Sequence, residues 1–301
     1  MGNLTKEPKK KEELLKIWKD KKLKIENEKF ALEIIQRLNY YRLSGYAKYF
    51  YSVNRDFITG SSFNTIYNLY LFDSELRKIV MTLTEEIELN FRSYVSSYIA
   101  NKYGACAYLE TKYFENKINT RTHNSYYEDF ISIINKKKEQ AKNKPYIKHY
   151  VDKYNGEVPI WVIIEILSFT DISKFIKNFK NDDRKNLLKY NYDSPRQLTA
   201  QYLPNSIQII CDVRNMCAHY EKIFNLKLIN APILNKWNTI PNSNLYDVLT
   251  ICKKLINDTD KWNYSIKNIA SIIVKYDFKM LNLLGFENID WEKKLIKIKK
   301  D

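Results

Sequence analysis

Histidine and arginine are the residue types here that suit metal-free cleavage of a phosphodiester, and both occur in RNMCAHYEKIFN, residues 214–225. Histidine exchanges protons near neutral pH, and the planar arginine cation stabilises charge that develops on a phosphate. RNA carries its own nucleophile, the 2′-hydroxyl, so its cleavage needs a base, an acid and such a cation. Arg214 and His219 could therefore cut RNA and leave 2′,3′-cyclic phosphate ends, with no metal and no cofactor.

The segment is predicted to be helical over residues 206–225, because Pro204 and Asn205 form a good helix opening. At 100° per residue, its apolar face contains Ile210, Val213, Cys217, Tyr220 and Phe224. Its polar face contains Gln208, Asp212, Asn215, His219 and Lys222. Asn215 precedes His219 by one turn, so its amide can orient the imidazole.

Arg214 and His219 are separated by roughly 140° around an ideal helix, which makes it difficult to aim both at one phosphate. Either the helix loosens near His219, or a second copy of the chain packs alongside and shares the site. The geometry favours the shared site of a homodimer. An arginine and a histidine at this spacing are a weak signal by themselves, since a histidine on a polar helix face is more often merely solvated.

A long second helix is predicted to follow Ser61 and Ser62, its N-terminal capping residues, and to end at Gly104. Its apolar stripe contains Leu69, Phe72, Leu76, Ile79, Leu83, Ile87, Phe91, Tyr94 and Tyr98. Glu88 and Arg92 form a pair beside this stripe at the favourable spacing. Glu165 lies in the apolar run VPIWVIIEILSF, where an unpaired carboxylate is costly. We expect Arg92 or Arg214 to pair with Glu165, and these side chains to support the motif helix.

Composition limits the classes of protein to which the chain can belong. The net charge of +15 predicts a polyanionic partner, and either nucleic acid or an anionic membrane surface would fit. No apolar run is long enough to span a membrane and no secretion signal begins the chain, so we expect a cytoplasmic protein that does not associate with membranes. The six glycines form no phosphate-binding loop, and the four cysteines have no metal-ligand spacing. Scarce glycine and proline favour long helices, hence an all-α fold.

Positive charge comes mainly from 41 lysines, against nine arginines. An arginine in this chain is therefore expected to make a planar, two-pronged contact that lysine cannot make. Candidate RNA-binding residues are Tyr41, Arg42, Tyr46 and Lys48, then Lys136, Lys137, Lys138 and Lys222. Aromatic rings beside cations suit stacking on unpaired bases, although tyrosines that pack the core would give the same pattern.

The predicted organisation is one compact domain with three parts. Residues 1–60 form a basic, helical N-terminal extension, residues 61–280 a helical core, and residues 281–301 a basic tail. A polar and basic insertion is expected within the core, over about 105–156. This insertion could follow RNA or could simply be solvated.

Several segments, in order, resemble a known family: NYYRLSGY (39–46), EIELNFRS (86–93), PIWVIIEILSF (159–169), RNMCAHYEKIFN (214–225) and LNLLGFENIDW (281–291). Together they are similar to the bacterial abortive-infection proteins of the AbiF/AbiD type, a branch of the HEPN-domain proteins. The resemblance implies a HEPN-like helical bundle, often dimeric, that acts as a metal-independent ribonuclease toxin and can be restrained by a small non-coding RNA.

The same resemblance implies that Arg214 and His219 are catalytic and that Asn215 supports them. The chain departs from the family where Lys222, Ile223 and Phe224 replace an arginine-leucine-tryptophan series, and where Thr170 replaces a common glycine. Two functions stay open on the sequence. One is an endoribonuclease for anti-phage defence; the other is a non-catalytic RNA-binding module whose motif helix serves recognition or dimerisation.

Overall fold

The computed structural model describes residues 7–115, 117–191, 199–228, 244–286 and 290–298. Within these ranges the regular structure is helical, with thirteen α-helices, a few 3-10 turns and no β-sheet, which confirms the predicted all-α fold. The chain groups into two compact units. One contains residues of 1–76 and 270–279, and the other contains residues of 77–269 and 280–301. In the described part of the chain, no helix combines the length and the apolar character needed to cross a membrane.

The first unit is formed by three short helices and the ends of two longer ones. These are α1 (Lys11–Asp20), α2 (Glu28–Leu38), α3 (Tyr40–Ala47), the start of α4 (Phe63–Tyr103) and the end of α12 (Thr259–Lys275). The indole of Trp18 is fully buried at its centre, with ring centroids of Tyr40, Phe57 and Phe63 at 4.8, 6.2 and 6.0 Å. These rings pack together with buried aliphatic side chains such as Leu15, Ile34 and Leu43 to form the unit's apolar core.

The second unit contains the remainder of α4 and α12 and eight further helices. They are α5 (Tyr126–Gln140), α6 (Pro145–Lys153), α7 (Ile160–Ile166), α8 (Phe169–Lys177), α9 (Asn181–Asn191), α10 (Leu203–Ala218), α11 (Leu245–Leu255) and α13 (Trp291–Leu295). α10 packs against α8 and α11. Its apolar face, with Ile207, Ile210 and Val213, is fully buried.

α4 follows the sequence prediction closely. The Ser62 hydroxyl accepts a hydrogen bond from the backbone N–H of Thr65 at 3.2 Å, and Gly104 adopts a φ of 108° directly after the last helical residue. Most of the predicted apolar stripe is buried, namely Leu69, Phe72, Leu76, Leu83, Ile87, Phe91 and Tyr98. The sequence predicts this helix well because three signals agree: the serine cap, the apolar stripe at three-and-four spacing, and the glycine after the last helical residue.

The predicted insertion, about 105–156, contains α5 and α6. Ser125 caps α5, accepting from the N–H of Glu128 while the Glu128 carboxylate accepts from the N–H of Ser125. The buried ring of Phe130 stacks on Phe175 of α8 with centroids 4.3 Å apart. α5 is therefore packed on the helical core, with its buried apolar face against α8.

Residues of the predicted basic tail pack against α11 and α12. The Trp262 indole donates to the carbonyl of Leu295 at 2.7 Å, and the Asn263 side chain exchanges two hydrogen bonds with the backbone of Lys297 at 2.9 and 2.8 Å. The Lys297 amine donates to the carbonyl of Ile256, and burial lowers the pKa of Lys297. This lysine is thus used to complete the end of α11.

Candidate active site at the end of α10

α10 ends before the histidine of the motif. The helix finishes at Ala218, and Tyr220 adopts a left-handed backbone with a φ of 59°. The N–H of Glu221 donates to the carbonyl of Met216 at 2.9 Å, and that of Tyr220 donates to the carbonyl of Cys217 at 3.2 Å. These two bonds form a Schellman motif, which terminates a helix. The prediction of a continuous helix over residues 206–225 is therefore wrong beyond residue 218.

His219 is the residue at which the chain leaves the helix. Its N–H still donates to the carbonyl of Asn215 at 2.9 Å, but its φ and ψ of −90° and 11° are no longer helical. The residue is exposed. The sequence left two geometries open, a helix that loosens near His219 and a site shared with a second copy. The first of these is present in a single chain.

Arg214 forms an ion pair with α4. Its Nε lies 3.2 Å from Oε2 of Glu88, while Oε1 of the same carboxylate accepts a 2.5 Å hydrogen bond from Arg92. The Nε–H of Arg214 is not aligned for a hydrogen bond to Glu88, so the contact is electrostatic. Each oxygen of Glu88 thus serves one arginine.

The exposed fractions of the Glu88, Arg92 and Arg214 side chains show which charge a ligand can reach. The Glu88 and Arg92 side chains are 10% and 14% exposed, whereas that of Arg214 is 31% exposed. Two guanidinium groups share one carboxylate, so the cluster keeps one net positive charge in partly buried surroundings, where charge interactions are stronger than in water. Arg214 is the member of the cluster that a phosphate could reach.

Arg92 also secures α7 to α4. Its Nη1 donates to the carbonyl oxygens of Ile164 at 2.6 Å and of Leu167 at 2.9 Å, which lie at the end of α7 and have no helical N–H partner there. Arg92 therefore joins α4 to the end of α7, and its support of the motif helix stays a prediction.

The prediction for Glu165 is corrected by the structure. Its side chain is exposed, because it lies on the outward side of α7, opposite the buried Ile163 and Ile164. The carboxylate that pairs with Arg92 and Arg214 is Glu88, and α7 contributes backbone carbonyls instead. The apolar run around Glu165 suggested full burial, but α7 is buried along one face only.

Asn215 connects Arg214 to α8. Its amide oxygen lies 3.4 Å from Nη1 of Arg214, and its amide nitrogen lies 3.5 Å from the Thr170 hydroxyl and 3.7 Å from the Cys211 sulfur. Thr170 and Cys211 are themselves 3.1 Å apart, and burial raises the pKa of the Cys211 thiol. The amide side chain thus orients the arginine, while the backbone carbonyl of Asn215 holds His219.

Two residues that position this site were not assigned to it from the sequence. The buried guanidinium of Arg77, on α4, donates to the carbonyl of Glu221 at 3.3 Å and ties down the chain after His219. Thr170, noted only as a departure from a family glycine, contacts Asn215. The scarcity of arginine was the available signal for Arg77; no sequence pattern indicated the contact of Thr170.

The candidate RNA-binding residues differ in accessibility. Tyr41 is 85% exposed, and Arg42 and Lys48 are exposed beside it in the sequence. Tyr46 is buried, and its hydroxyl donates to the Asp73 carboxylate at 2.8 Å, so its ring cannot stack on a base in this conformation. The assignment of Tyr46 to an RNA surface is therefore corrected to a core role.

The lysines predicted to bind RNA at the end of α5 are also placed differently from one another. Lys136 is exposed, Lys137 lies 4.0 Å from the Asp171 carboxylate, and Lys138 donates to the carbonyl of Gly156 at 2.9 Å. Lys222, half-buried, follows the end of α10 in the segment after His219.

Comparison with known families assigns the chain. The family model described as Abi-like protein matches residues 33–225. The chain belongs to the Abi-like family. The matched range contains Glu88, Arg92, Thr170 and the whole of 214–225, so every contact of the candidate site described above lies within the Abi-like region. No curated protein and no solved structure matches the chain.

Membership of the Abi-like family indicates a function in abortive infection. The match ends at residue 225, so the segment LNLLGFENIDW at 281–291 lies outside it, and residues 287–289 of that segment also lie outside the described part of the chain.

Proposed function

We propose that this Abi-like protein is a metal-independent endoribonuclease of the HEPN type, an effector of anti-phage abortive infection in the cytoplasm. One observation carries the proposal most directly. Arg214 forms an ion pair with the Glu88 carboxylate, and part of its side chain is exposed. Five residues later, directly after the end of α10, His219 is exposed to solvent. A cation held by an ion pair and an exposed imidazole therefore occur on one short segment of the Abi-like region.

The proposed chemistry is attack of the RNA 2′-hydroxyl on the adjacent phosphorus. One imidazole removes the hydroxyl proton, and an acid donates a proton to the departing 5′-oxygen, which leaves a 2′,3′-cyclic phosphate. Arg214 stabilises the negative charge that develops on the phosphate oxygens. Glu88 and Asn215 position the guanidinium, and Arg92 fixes Glu88 in turn.

A homodimer would supply the second proton-transfer group. A single chain offers one imidazole at the end of α10, whereas the reaction needs a base and an acid. Two copies related by a twofold axis would bring two His219 side chains to one scissile linkage, each with its own Arg214 and Asn215. In this proposal a small non-coding RNA restrains the toxin by occupying its basic surfaces.

The decisive experiment measures cleavage of a labelled single-stranded RNA after co-purifying RNA has been removed in high salt. Wild-type protein should cut in the presence of EDTA and give products with 2′,3′-cyclic phosphate ends, and His219→Ala should abolish the cut. His123→Asn is the matched control: this exposed histidine has a φ of 61°, a conformation that asparagine tolerates. Equal cleavage by His219→Ala and wild type would refute the assignment.

A second candidate function is a non-catalytic RNA-binding module. It is favoured by the ion pair of Arg214, since a guanidinium already partnered by Glu88 can serve a structural or recognition role. In that case wild-type protein would bind RNA tightly and with strong salt dependence but would cut it at no concentration. Arg214→Ala would then weaken binding without changing any cleavage rate.

A further inference from the structure

α6 is a helix with most of its surface in solvent. It begins at Pro145 and ends at Lys153, and among its residues Ile147 is the side chain buried against the protein, at 1% exposure. Three large side chains on or next to this helix are unusually accessible, with exposures of 40% for Tyr146, 48% for Val151 and 53% for Tyr154. Large apolar and aromatic side chains that are this exposed are available to a ligand.

Three aromatic rings of this region form a cluster. The centroid of His149 lies 5.2 Å from that of Tyr150 and 5.7 Å from that of Tyr154, and the two tyrosines are 5.4 Å apart. Tyr150 and Tyr154 are four residues apart, which places their side chains on the same side of the helix end. His149 and Tyr154 are exposed, and Tyr150 is half-buried.

The cluster is fixed by the backbone that follows it. The chain reverses at Asn155 and Gly156, whose φ values are 50° and 79°, and the N–H of Gly156 donates to the carbonyl of Tyr150 at 3.1 Å. From α5, the Lys138 amine donates to the carbonyl of Gly156 at 2.9 Å. The turn is thereby held from both sides, so the backbone that carries Tyr154 has a defined conformation, which lowers the entropic cost of binding.

The surroundings of the cluster are strongly basic. Residues 136–154 contain seven lysines against Glu139 and Asp152. Lys144, Lys148 and Lys153 are exposed on or beside α6, and the Lys144 amine lies 5.6 Å from the ring centre of Tyr146. An anionic ligand with flat, unpaired rings complements both properties of this surface.

We propose that α6 binds single-stranded RNA, with bases stacked on Tyr146, His149 and Tyr154 and phosphates contacted by Lys144, Lys148 and Lys153. Exposed aromatic rings accept unpaired bases, whereas the bases of a duplex are already stacked inside their helix. The inference rests on the proposed function in taking RNA as the ligand, and it adds a binding surface on a different helix from the one that carries Arg214 and His219.

The test measures binding without cleavage, in His219→Ala protein, by fluorescence anisotropy of a 20-nucleotide single-stranded RNA and of the corresponding 20-base-pair duplex. Tyr146→Ala with Tyr154→Ala should weaken binding of the single strand by about tenfold or more, since each of the two stacked bases contributes about fivefold or more. Tyr146→Phe with Tyr154→Phe keeps both rings and should bind like the parent. Tyr264→Ala removes a tyrosine of α12 that is 67% exposed and serves as the matched control.

Charge is tested separately. Lys144→Gln with Lys148→Gln should reduce the slope of log Kd against log salt by about 1.4, since each phosphate contact of a single strand contributes about 0.7. An unchanged affinity for the single strand in the double Ala variant, with its thermal unfolding unaltered, would overturn the proposal and leave the surface for a protein partner. So would equal loss for duplex and single strand, because stacking on α6 requires unpaired bases. Neither result depends on whether wild-type protein cuts RNA.

Discussion

Glu88 sets the electrostatics of the candidate site, because its two oxygens contact two different arginines. Oε1 accepts from Arg92 at 2.5 Å and Oε2 lies 3.2 Å from Nε of Arg214. Without this carboxylate, two guanidinium groups would lie close together in partly buried surroundings and would repel each other. The position of the catalytic arginine in the proposed mechanism therefore depends on a residue of α4 that need not touch RNA.

Replacement of Glu88 tests this dependence. Glu88→Gln should lower RNA cleavage by about tenfold or more, because a small displacement of a charge-stabilising group is costly in the transition state. Glu88→Ala should also lower the free energy of unfolding by about 2 kcal/mol, since it leaves two partly buried cations without a counter-charge. Urea unfolding and single-turnover cleavage measure the two effects.

Glu165→Gln is the matched control for this prediction, because Glu165 was expected from the sequence to be the partner of these arginines and is exposed. Its stability should stay within about 0.5 kcal/mol of wild type. Similar losses in Glu165→Gln and Glu88→Gln would contradict the assignment of Glu88 as the counter-charge.

At the scale of the element, the end of α10 decides where the histidine lies. Tyr220 occupies the C′ position of the Schellman motif, which is usually glycine because an L side chain in a left-handed backbone is strained. Continuation of α10 through residue 219 would place His219 on the polar face of the helix. The strained tyrosine instead ends the helix next to the proposed proton carrier, a location where strain is often retained for function.

A comparison of Tyr220→Gly with Tyr220→Ala isolates this backbone strain, since both remove the same side chain. The glycine variant should be more stable than the alanine variant by about 1 kcal/mol, because only glycine adopts a φ of 59° at little cost. Thermal unfolding of the two proteins measures the difference. Equal stabilities would mean that the left-handed conformation at residue 220 does not persist in solution.

Some elements could be predicted from the sequence because all local signals agreed. α4 has a serine cap, a regular apolar stripe and a glycine after its last residue, and each is found as expected. α10 was predicted too long because its terminating residue is a tyrosine. No glycine or proline occurs over residues 214–231 to indicate a stop, and the buried Ile223 and Phe224 continued the apolar pattern.

The site itself could be predicted only in part. Arg214, Asn215 and His219 are sequence neighbours, so the motif was visible, and Glu88 with Arg92 was visible as a helical pair. The choice of Glu88 over Glu165 as the partner of Arg214 depends on how α4, α7 and α10 pack. This packing is tertiary structure. One carboxylate within an apolar run does not show which face of its helix is buried against the rest of the protein.

At the scale of the whole molecule, the two cationic residue types are used differently. Arg77 and Arg184 are buried, at 5% and 7% exposure, and Arg184 pairs with Glu115 at 3.0 Å. Arg92 and Arg214 share one carboxylate. Bulk positive charge comes from 41 lysines, which suit long-range attraction of a polyanion, whereas these arginines make fixed contacts inside the fold.

The proposed symmetric dimer makes a quantitative prediction about mixed subunits. If two His219 side chains serve one scissile linkage as base and acid, a dimer with one His219→Ala subunit is inactive. Equal amounts of wild type and variant are mixed and allowed to exchange subunits completely. At the same total protein concentration, the cleavage rate should fall to about a quarter of that of wild type alone, since only that fraction of dimers keeps both histidines. Native mass spectrometry of subunits that carry different tags verifies the exchange, and labelled RNA reports cleavage.

The control mixes wild type with His123→Asn, which should keep full activity because His123 lies outside the candidate site. A fall to about half in the His219→Ala mixture would show that each chain cuts independently, since the wild-type half of the subunits would remain fully active. The end of α10 would then have to supply both proton transfers from one subunit. In that case a single exposed imidazole would need a second acid from the same chain, and the argument for a shared site would fail even if the endoribonuclease assignment survived.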